Sequence, residues 1–224
     1  MNPPLAQRTV TPEWLDALPP TDARARSSRH DLQRLNWWMA HVSIMRRALA
    51  RPPSSRIIEL GSGDGTFMLR LARTLPAAQL TLVDRHPCIS KKTLAEFGEL
   101  GWSVEVAEAD VFDWLPEHKP SDVILANLFL HHFEPTALAH LLGMTAARCQ
   151  TFVACEPQRG PLALGAARLL WMIGCHPVTR HDAAISVRAG FSGDELSAVW
   201  PQAGWKIQER RAHLFSHLFV ARKQ

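Results

Sequence analysis

Hydrophobic residues in the first quarter of the chain follow a helical period. From Ser28 onward they recur every three or four positions, which predicts one amphipathic helix that stops at the Pro-Pro-Ser-Ser segment 52–55. Ser28 with Asp31 three residues later is typical of a helix start. The apolar stripe consists of Leu32, Leu35, Trp38, Val42, Met45 and Leu49. We therefore expect residues 1–51 to form a helical lid on a second unit, residues 52–224.

Short apolar runs and amphipathic segments then alternate along the chain. Strands that are apolar almost throughout and separated by helices predict a parallel sheet covered on both faces. The pattern places strands at 56–60, 79–84, 103–108, 122–130 and 151–155. It places helices at 65–75, 87–100 and 135–148, and a short turn region after the third strand.

The remainder of the chain departs from this alternation. We expect residues 158–191 to be a helical insertion on the substrate side, and the capping box that starts at Ser192 to open a helix ending by Gly204. Two β-rich runs, 205–209 and 214–221, are so close together that they must pair antiparallel. The predicted fold is α/β, a Rossmann-like seven-stranded sheet that is parallel except for a C-terminal antiparallel hairpin.

Composition narrows the class of protein. The chain is 46% apolar and 21% charged, and no apolar run approaches the length of a membrane span. The start lacks the apolar segment of a signal peptide, and the four cysteines show no disulfide or metal spacing, so we expect a cytoplasmic protein. Residues 1–56 hold nine Lys/Arg and four Asp/Glu. This basic excess is more typical of a solvated lid helix than of a nucleic-acid surface.

Three glycines at alternate positions follow the first strand. Gly61, Gly63 and Gly65 would let a ligand approach the backbone closely, as in nucleotide-binding loops. A pyrophosphate would be repelled by the acidic side chains of this region. These are Glu59, Asp64, Asp84 and Asp110. Four carboxylates favour a cationic ligand, and S-adenosylmethionine, with its sulfonium and ammonium groups, fits.

Two of these acids end strands. Asp84 lies 23 residues after Gly61, where a carboxylate can accept hydrogen bonds from both ribose hydroxyls. The alternative for Asp84 is a helix cap, because Pro87 can begin the next helix. The alternative for Asp110 is turn chemistry.

The order of these motifs resembles class I S-adenosylmethionine-dependent methyltransferases, in particular the ubiquinone-type small-molecule branch. The resemblance rests on Glu-Leu-Gly-Ser-Gly-Asp-Gly, Leu-Val-Asp84, Ala-Asp110 and the segment Asn127 to Phe133. Segments 31–36 and 180–191 are similar to methyltransferases found with bacterial type III polyketide synthases. The resemblance implies methyl transfer to a phenolic, quinol-like or polyketide hydroxyl or ring carbon, and implies that Asp110 contacts adenine. The cofactor-binding residues are predicted to be Glu59, Gly61, Ser62, Gly63, Asp84, Arg85, Asp110, Val111, Asn127 and Leu128.

A histidine pair leaves the fourth strand where ligands of such sheets bind. On an extended segment His131 and His132 would point to opposite sides, so we expect one of them to act as general base and the other to support the structure. Both can equally be packing residues. Histidines that point apart are poorly arranged for one metal ion, so no metal is predicted. His181 in the insertion is the alternative base.

The acceptor is expected to be a small aromatic or lipidic molecule held between lid and insertion. Its predicted contacts are Arg34, Asn36, Trp38, His132, Glu156 and Arg188. Trp38 can equally be a core residue.

Three other functions share parts of this pattern. A nicotinamide oxidoreductase is disfavoured because Thr66 stands where a dinucleotide loop has its third glycine, and because the loop is acidic. A nucleic-acid methyltransferase usually has Asp/Asn-Pro-Pro-aromatic after the fourth strand, whereas residues 127–130 contain no proline. The third alternative is a non-catalytic protein that binds S-adenosylmethionine.

Overall fold

A single seven-stranded sheet forms the centre of the molecule. The computed structural model describes residues 5–19, 21–49 and 56–224, so the linker 52–55 lies outside it. The strand order is β3-β2-β1-β4-β5-β7-β6, and β7 runs antiparallel to both of its neighbours. The strands are β1 Arg56–Leu60, β2 Gln79–Asp84, β3 Ser103–Glu108, β4 Ser121–Asn127, β5 Cys149–Pro157, β6 Trp205–Ala212 and β7 Ser216–Lys223. The predicted fold class is confirmed.

Helices cover both faces of this sheet. They are α1 Ala23–Trp38, α2 His41–Ala48, α3 Thr66–Ala72, α4 Lys91–Glu99, α5 Val111–Glu117, α6 Pro135–Arg148, α7 Pro161–Arg168 and α8 Pro177–Ala189. One apolar cluster joins α2, α3 and α4 to the sheet, and a second joins α5 and α6 to its other face. Among the described residues, no helix is both long and apolar enough to cross a bilayer.

The N-terminal helix predicted from Ser28 is two helices. It begins earlier, at Ala23, and breaks before His41, where Ala40 has a left-handed backbone with φ of 55°. The break turns α2 onto the sheet, so that Met45 and Leu49 join the core. Asp31 does not cap its own helix. Its carboxylate accepts hydrogen bonds from the His176 amide and the Thr179 hydroxyl, which ties α1 to the start of α8.

Two predicted boundaries were wrong because local hydrogen bonds and backbone angles stop the elements. Helix α4 starts at Lys91, since the Ser90 hydroxyl caps it by accepting from the Thr93 amide. Strand β4 stops at Asn127, because Leu128 has φ of 53° and residues 130–132 form a 3-10 turn.

Two further segments differ from their predicted type. The region after β3, predicted as a turn, is the helix α5, and Asp110 caps it. The capping box at Ser192 opens only turns. Its Glu195 does accept from the Ser192 amide, but the same carboxylate is bound by the buried Arg159, so tertiary contacts fix the segment outside a helix.

Candidate functional site

The loop between β1 and α3 has the backbone of a ligand-binding turn. Gly61, Gly63 and Gly65 all have left-handed φ angles, of 72°, 54° and 71°. A Cβ atom at Gly61 would overlap the ring of Phe129, so only glycine fits there. The Gly63 amide donates to Asp84 Oδ2 at 2.8 Å, which links the loop to the end of β2. The three glycines and the bond to Asp84 therefore fix a narrow turn at the carboxyl edge of the sheet.

Two buried polar atoms beside this loop lack partners. Glu59 Oε2 and Ser62 Oγ accept or donate no hydrogen bond among the described residues, and Glu59 is 2% exposed. Burial, followed by the charges of Asp64 and Asp84, raises the pKa of Glu59 well above its usual range. A ligand with hydrogen-bond donors and positive charge would stabilise the ionised form of a carboxyl group that is buried beside two other acids. Both atoms are therefore available to the polar groups of a ligand that binds at this loop.

Replacing Glu59 by glutamine is expected to stabilise the ligand-free protein at neutral to alkaline pH. A carboxylic acid whose folded-state pKa is raised costs stability as the pH rises above its unfolded pKa, and glutamine removes that cost. The unfolding temperature of Glu59→Gln should exceed that of wild type at pH 8 and approach it at pH 5. An equal difference at both pH values would show that the Glu59 charge is not the cause.

The other predicted cofactor acids make protein contacts of their own. Asp84 Oδ1 accepts from the His86 amide at 2.8 Å, so Asp84 shapes the loop and caps no helix. Asp110 accepts from the Phe112 amide at 2.9 Å and so caps α5, a local role in place of the turn expected as its alternative. Arg85 Nε lies 3.7 Å from Asp110 Oδ2, and Val111 is buried beneath. The structure therefore gathers these residues at one edge, while their contacts to a cofactor stay predictions.

The Asn127 side chain contacts His41, a buried residue that sequence analysis missed. Its Oδ1 lies 2.7 Å from Nδ1 of His41, whose Nε2 lies 3.0 Å from the Ser216 hydroxyl. Burial lowers the pKa of His41 to about 4, so the ring is neutral and fully enclosed. This chain of contacts joins α2, β4 and β7. No motif marks His41 in the sequence, since it is one polar position at the start of a helix.

Glu156 lies at the centre of a second buried cluster. Its Oε1 accepts from the amides of Phe129 and Leu130, at 3.0 and 2.9 Å, and its Oε2 lies 2.8 Å from His131 Nδ1. Glu156 is 0% exposed. Both carboxylate oxygens are therefore used within the protein, by His131 and by two backbone amides, and the predicted contact of Glu156 with the acceptor stays a prediction.

The side chains of His131 and His132 do not point to opposite sides, contrary to the prediction. The 3-10 turn brings the rings of His131 and His132 to 4.3 Å between centroids, so the prediction of opposite directions was wrong. Burial lowers the pKa of His131, but hydrogen bonds to Glu13 and Glu156 outweigh it and raise that pKa to about 9. A protonated ring between two carboxylates has no lone pair for a general base. Burial and the His131 charge lower the pKa of His132.

His181 has the geometry of an oriented base. Its Nδ1 lies 2.9 Å from Asp182 Oδ1, and its ring stacks on Trp14 at 3.6 Å between centroids. Asp182 is buried and also accepts from the amides of Trp14 and Leu15. The His181 side chain is about one-third exposed.

Residues 5–19, the N-terminal strap, cross this edge of the sheet. Arg8 donates to the carbonyls of Phe133 and Ala189, at 3.0 and 2.8 Å, and its guanidinium lies 4.4 Å from the Phe191 ring centre. The Thr9 amide donates to the Arg188 carbonyl. Sequence analysis missed the strap because it has neither a helical nor a strand period.

Helix α1 forms the other wall. Gln33 donates to Asp64 Oδ2 at 2.7 Å, and Arg70 donates to the Gln33 carbonyl, so α1 is fixed over the glycine loop. Arg34 bonds to Asp31 and to the Ile173 carbonyl, and Trp38 is 53% exposed. The Asn36 side chain lies outside the described part of the structure. A cavity of about 340 Å³ between helices α1, α2 and α3 is lined by Gln33, Ala40, Val42, Ser43, Thr66, Phe67, Arg70 and Arg73.

Comparison with known sequences places the glycine loop in a methyltransferase context. Residues 57–150 match a family described as a methyltransferase domain, a match that covers less than half of the chain. A protein-L-isoaspartate O-methyltransferase of Methylorubrum extorquens is 33% identical over 86 residues, 38% of this chain and 37% of that protein. A tRNA1(Val) (adenine(37)-N6)-methyltransferase of Vibrio campbellii is 28% identical over 74 residues, 32% of this chain and 31% of that protein. The chain thus matches well under half the length of these relatives.

Solved structures extend the likeness to nearly the whole chain. An O-methyltransferase family protein from Burkholderia thailandensis has a TM-score of 0.66 at 22% identity, over 91% of this chain and 61% of its own. The plantazolicin methyltransferase BpumL, solved with SAH, has a TM-score of 0.64 at 14% identity, over 91% of this chain and 92% of its own. At these identities the likeness establishes the fold.

Proposed function

We propose that the protein is a methyltransferase that uses S-adenosylmethionine and methylates a small aromatic or lipidic acceptor, at a hydroxyl or an adjacent ring carbon. The observation that carries the proposal is the acidic glycine loop with the unpartnered buried oxygen of Glu59. The match to a methyltransferase domain covers this loop together with Asp84 and Asp110. SAH in structural neighbours of the same fold supports the choice of cofactor.

The chain would hold the cofactor along the carboxyl edge of β1, β2 and β3. Glu59 and Ser62 would receive the methionine end, Asp84 the ribose hydroxyls and Asp110 the adenine amino group. When bound, S-adenosylmethionine supplies an electrophilic methyl group, so the protein mainly has to place the acceptor and exclude water. The strap, α1 and the insertion surround that space.

Cofactor affinity tests this proposal directly. By calorimetry, wild type should bind SAH and not NAD, and Asp84→Ala should bind SAH roughly 10–100-fold more weakly, as for loss of a hydrogen bond to a charged group. The matched control is Asp113→Ala, an exposed acid on the neighbouring α5. Unchanged SAH affinity in Asp84→Ala, or binding of NAD, would refute the cofactor assignment.

We further propose that His181 takes the proton of the acceptor hydroxyl. With Nδ1–H donating to Asp182, its Nε2 carries the lone pair, which is the arrangement of a base held by an orienting carboxylate. His131 is held between two carboxylates, and His132 lies against it. Mass spectrometry of a panel of phenols, quinols and polyketides, incubated with S-adenosylmethionine, would identify the acceptor class and distinguish O- from C-methylation.

A further inference from the structure

The N-terminal strap and the end of β4 bring three potential metal ligands together. Glu13, His131 and His132 each offer a nitrogen or oxygen atom, and these atoms all lie within 4.8 Å of one another. His131 is 3% exposed, and the side chain of Glu13 is 11% exposed. Glu13 lies 118 positions before the adjacent His131 and His132, so the fold of the strap is what brings its carboxylate to the two histidines.

We propose that Glu13, His131 and His132 bind a divalent transition-metal ion such as Zn²⁺. Two nitrogen and one oxygen ligand with an open fourth position form the donor set of many zinc sites in enzymes. Ligands at about 2.0–2.1 Å in a tetrahedron are about 3.4 Å apart. His131 Nε2 and Glu13 Oε1 are 3.5 Å apart, which is close to the spacing that a shared ion requires. The ion would take the place of the proton on Nε2, which is released to solvent when the ion binds.

The surroundings of the cluster are those of a supported metal site. A metal-binding histidine normally donates its other N–H to a carboxylate, which fixes the ring. Here the His131 Nδ1–H donates to Glu156 Oε2 at 2.8 Å. The other oxygen of Glu156 accepts hydrogen bonds from two backbone amides. The Ser186 hydroxyl donates to Glu13 Oε1, the oxygen that faces His131, and so holds the ligand carboxylate in place. The charges of Glu13 and Glu156 balance a divalent cation.

The cluster is partly exposed at His132, whose side chain is 31% exposed. Asp16 Oδ2 lies 3.6 Å from His132 Nδ1, and the Asp16 side chain is 62% exposed. A water molecule or an acceptor hydroxyl has access to an ion from this side. A hydroxyl bound there would lose its proton more readily, because the ion stabilises the resulting oxyanion. This catalytic role rests on the proposed methyl transfer, whereas ion binding itself does not.

Metal titration of the full chain tests the site. After treatment with a chelator, the protein should bind one Zn²⁺ per chain by calorimetry, and Co²⁺ should give the visible spectrum of a tetrahedral nitrogen–oxygen site without thiolate bands. Glu13→Gln and His132→Ala should each weaken Zn²⁺ binding at least tenfold. His213→Asn is the matched control, because it removes an exposed histidine at a left-handed position that asparagine tolerates.

SAH affinity of the same variants separates this inference from the proposed function. Glu13→Gln and His132→Ala should bind SAH as wild type does, which also shows that they fold. If the chain binds SAH but no stoichiometric Zn²⁺, or binds Zn²⁺ equally in both variants, the metal site is refuted and the methyltransferase proposal stands. If the chain binds Zn²⁺ but not SAH, the proposed metal site stands and the proposed use of S-adenosylmethionine is refuted.

Discussion

Replacing His181 by alanine should lower turnover about 10²–10⁴-fold, the usual contribution of a general base. The reason is geometric: Asp182 fixes the ring and leaves Nε2 to accept a proton. The limb of the pH–rate profile that reports the base should disappear, while SAH affinity stays at the wild-type value. Turnover is measured with the best acceptor from the panel.

His181→Phe is the control that separates catalysis from packing. Phenylalanine keeps the ring that stacks on Trp14 at 3.6 Å but carries no nitrogen. It should lose turnover as alanine does. If His181→Phe retains wild-type turnover and only alanine loses it, the ring is a spacer and the base lies elsewhere.

Deletion of residues 1–51 should abolish cooperative folding as well as turnover. Helix α2 and the Leu49 that follows it contribute Ile44, Met45, Ala48 and Leu49 to the core. Helix α2 also contributes His41 to a buried chain of hydrogen bonds. Each large core side chain is worth about 2–5 kcal/mol, so their joint loss is comparable to the whole stability of a domain, about 5–15 kcal/mol. Thermal unfolding with circular dichroism measures the result.

Deletion of residues 1–27 is the matched comparison. It removes the strap and the first turn of α1 but leaves α2, so the sheet should fold with a lower unfolding temperature. SAH binding should persist, because Gln33 still reaches Asp64 over the glycine loop. A sharp unfolding transition in the longer deletion would show that α2 is dispensable. The interpretation of residues 1–51 as a lid on a complete core would then hold.

The glycine loop and the sheet were predictable because their signals are local. Three glycines, an apolar strand before them and acids at the ends of later strands specify the turn and the edge that the structure shows. The hairpin of β6 and β7 was predictable because two β-rich runs lie too close to connect any other way. Backbone geometry is in these cases determined by residues within a few positions of each other.

The histidine cluster was not predictable for the opposite reason. The direction of His131 and His132 depends on a 3-10 turn, which Glu156 stabilises by accepting from the amides of Phe129 and Leu130. Glu13 reaches that turn only because Arg8 and Asp182 hold the strap. The helix predicted from the capping box at Ser192 was wrong for the same reason, because the distant Arg159 bonds to Glu195 of that box. Such contacts join residues that no sequence window contains together.

The position of β7 has a consequence for folding during synthesis. This strand lies inside the sheet, between β5 and β6, yet it is the last of the seven to leave the ribosome. Helix α2 packs on β5 and β7, and His41 bonds to Ser216 at the start of β7. The part of α2 that packs on β7 therefore stays exposed until β7 has been translated. A nascent chain in this state is a substrate for chaperones that shield apolar surface, and a ribosomal pause before β7 would prolong that exposure.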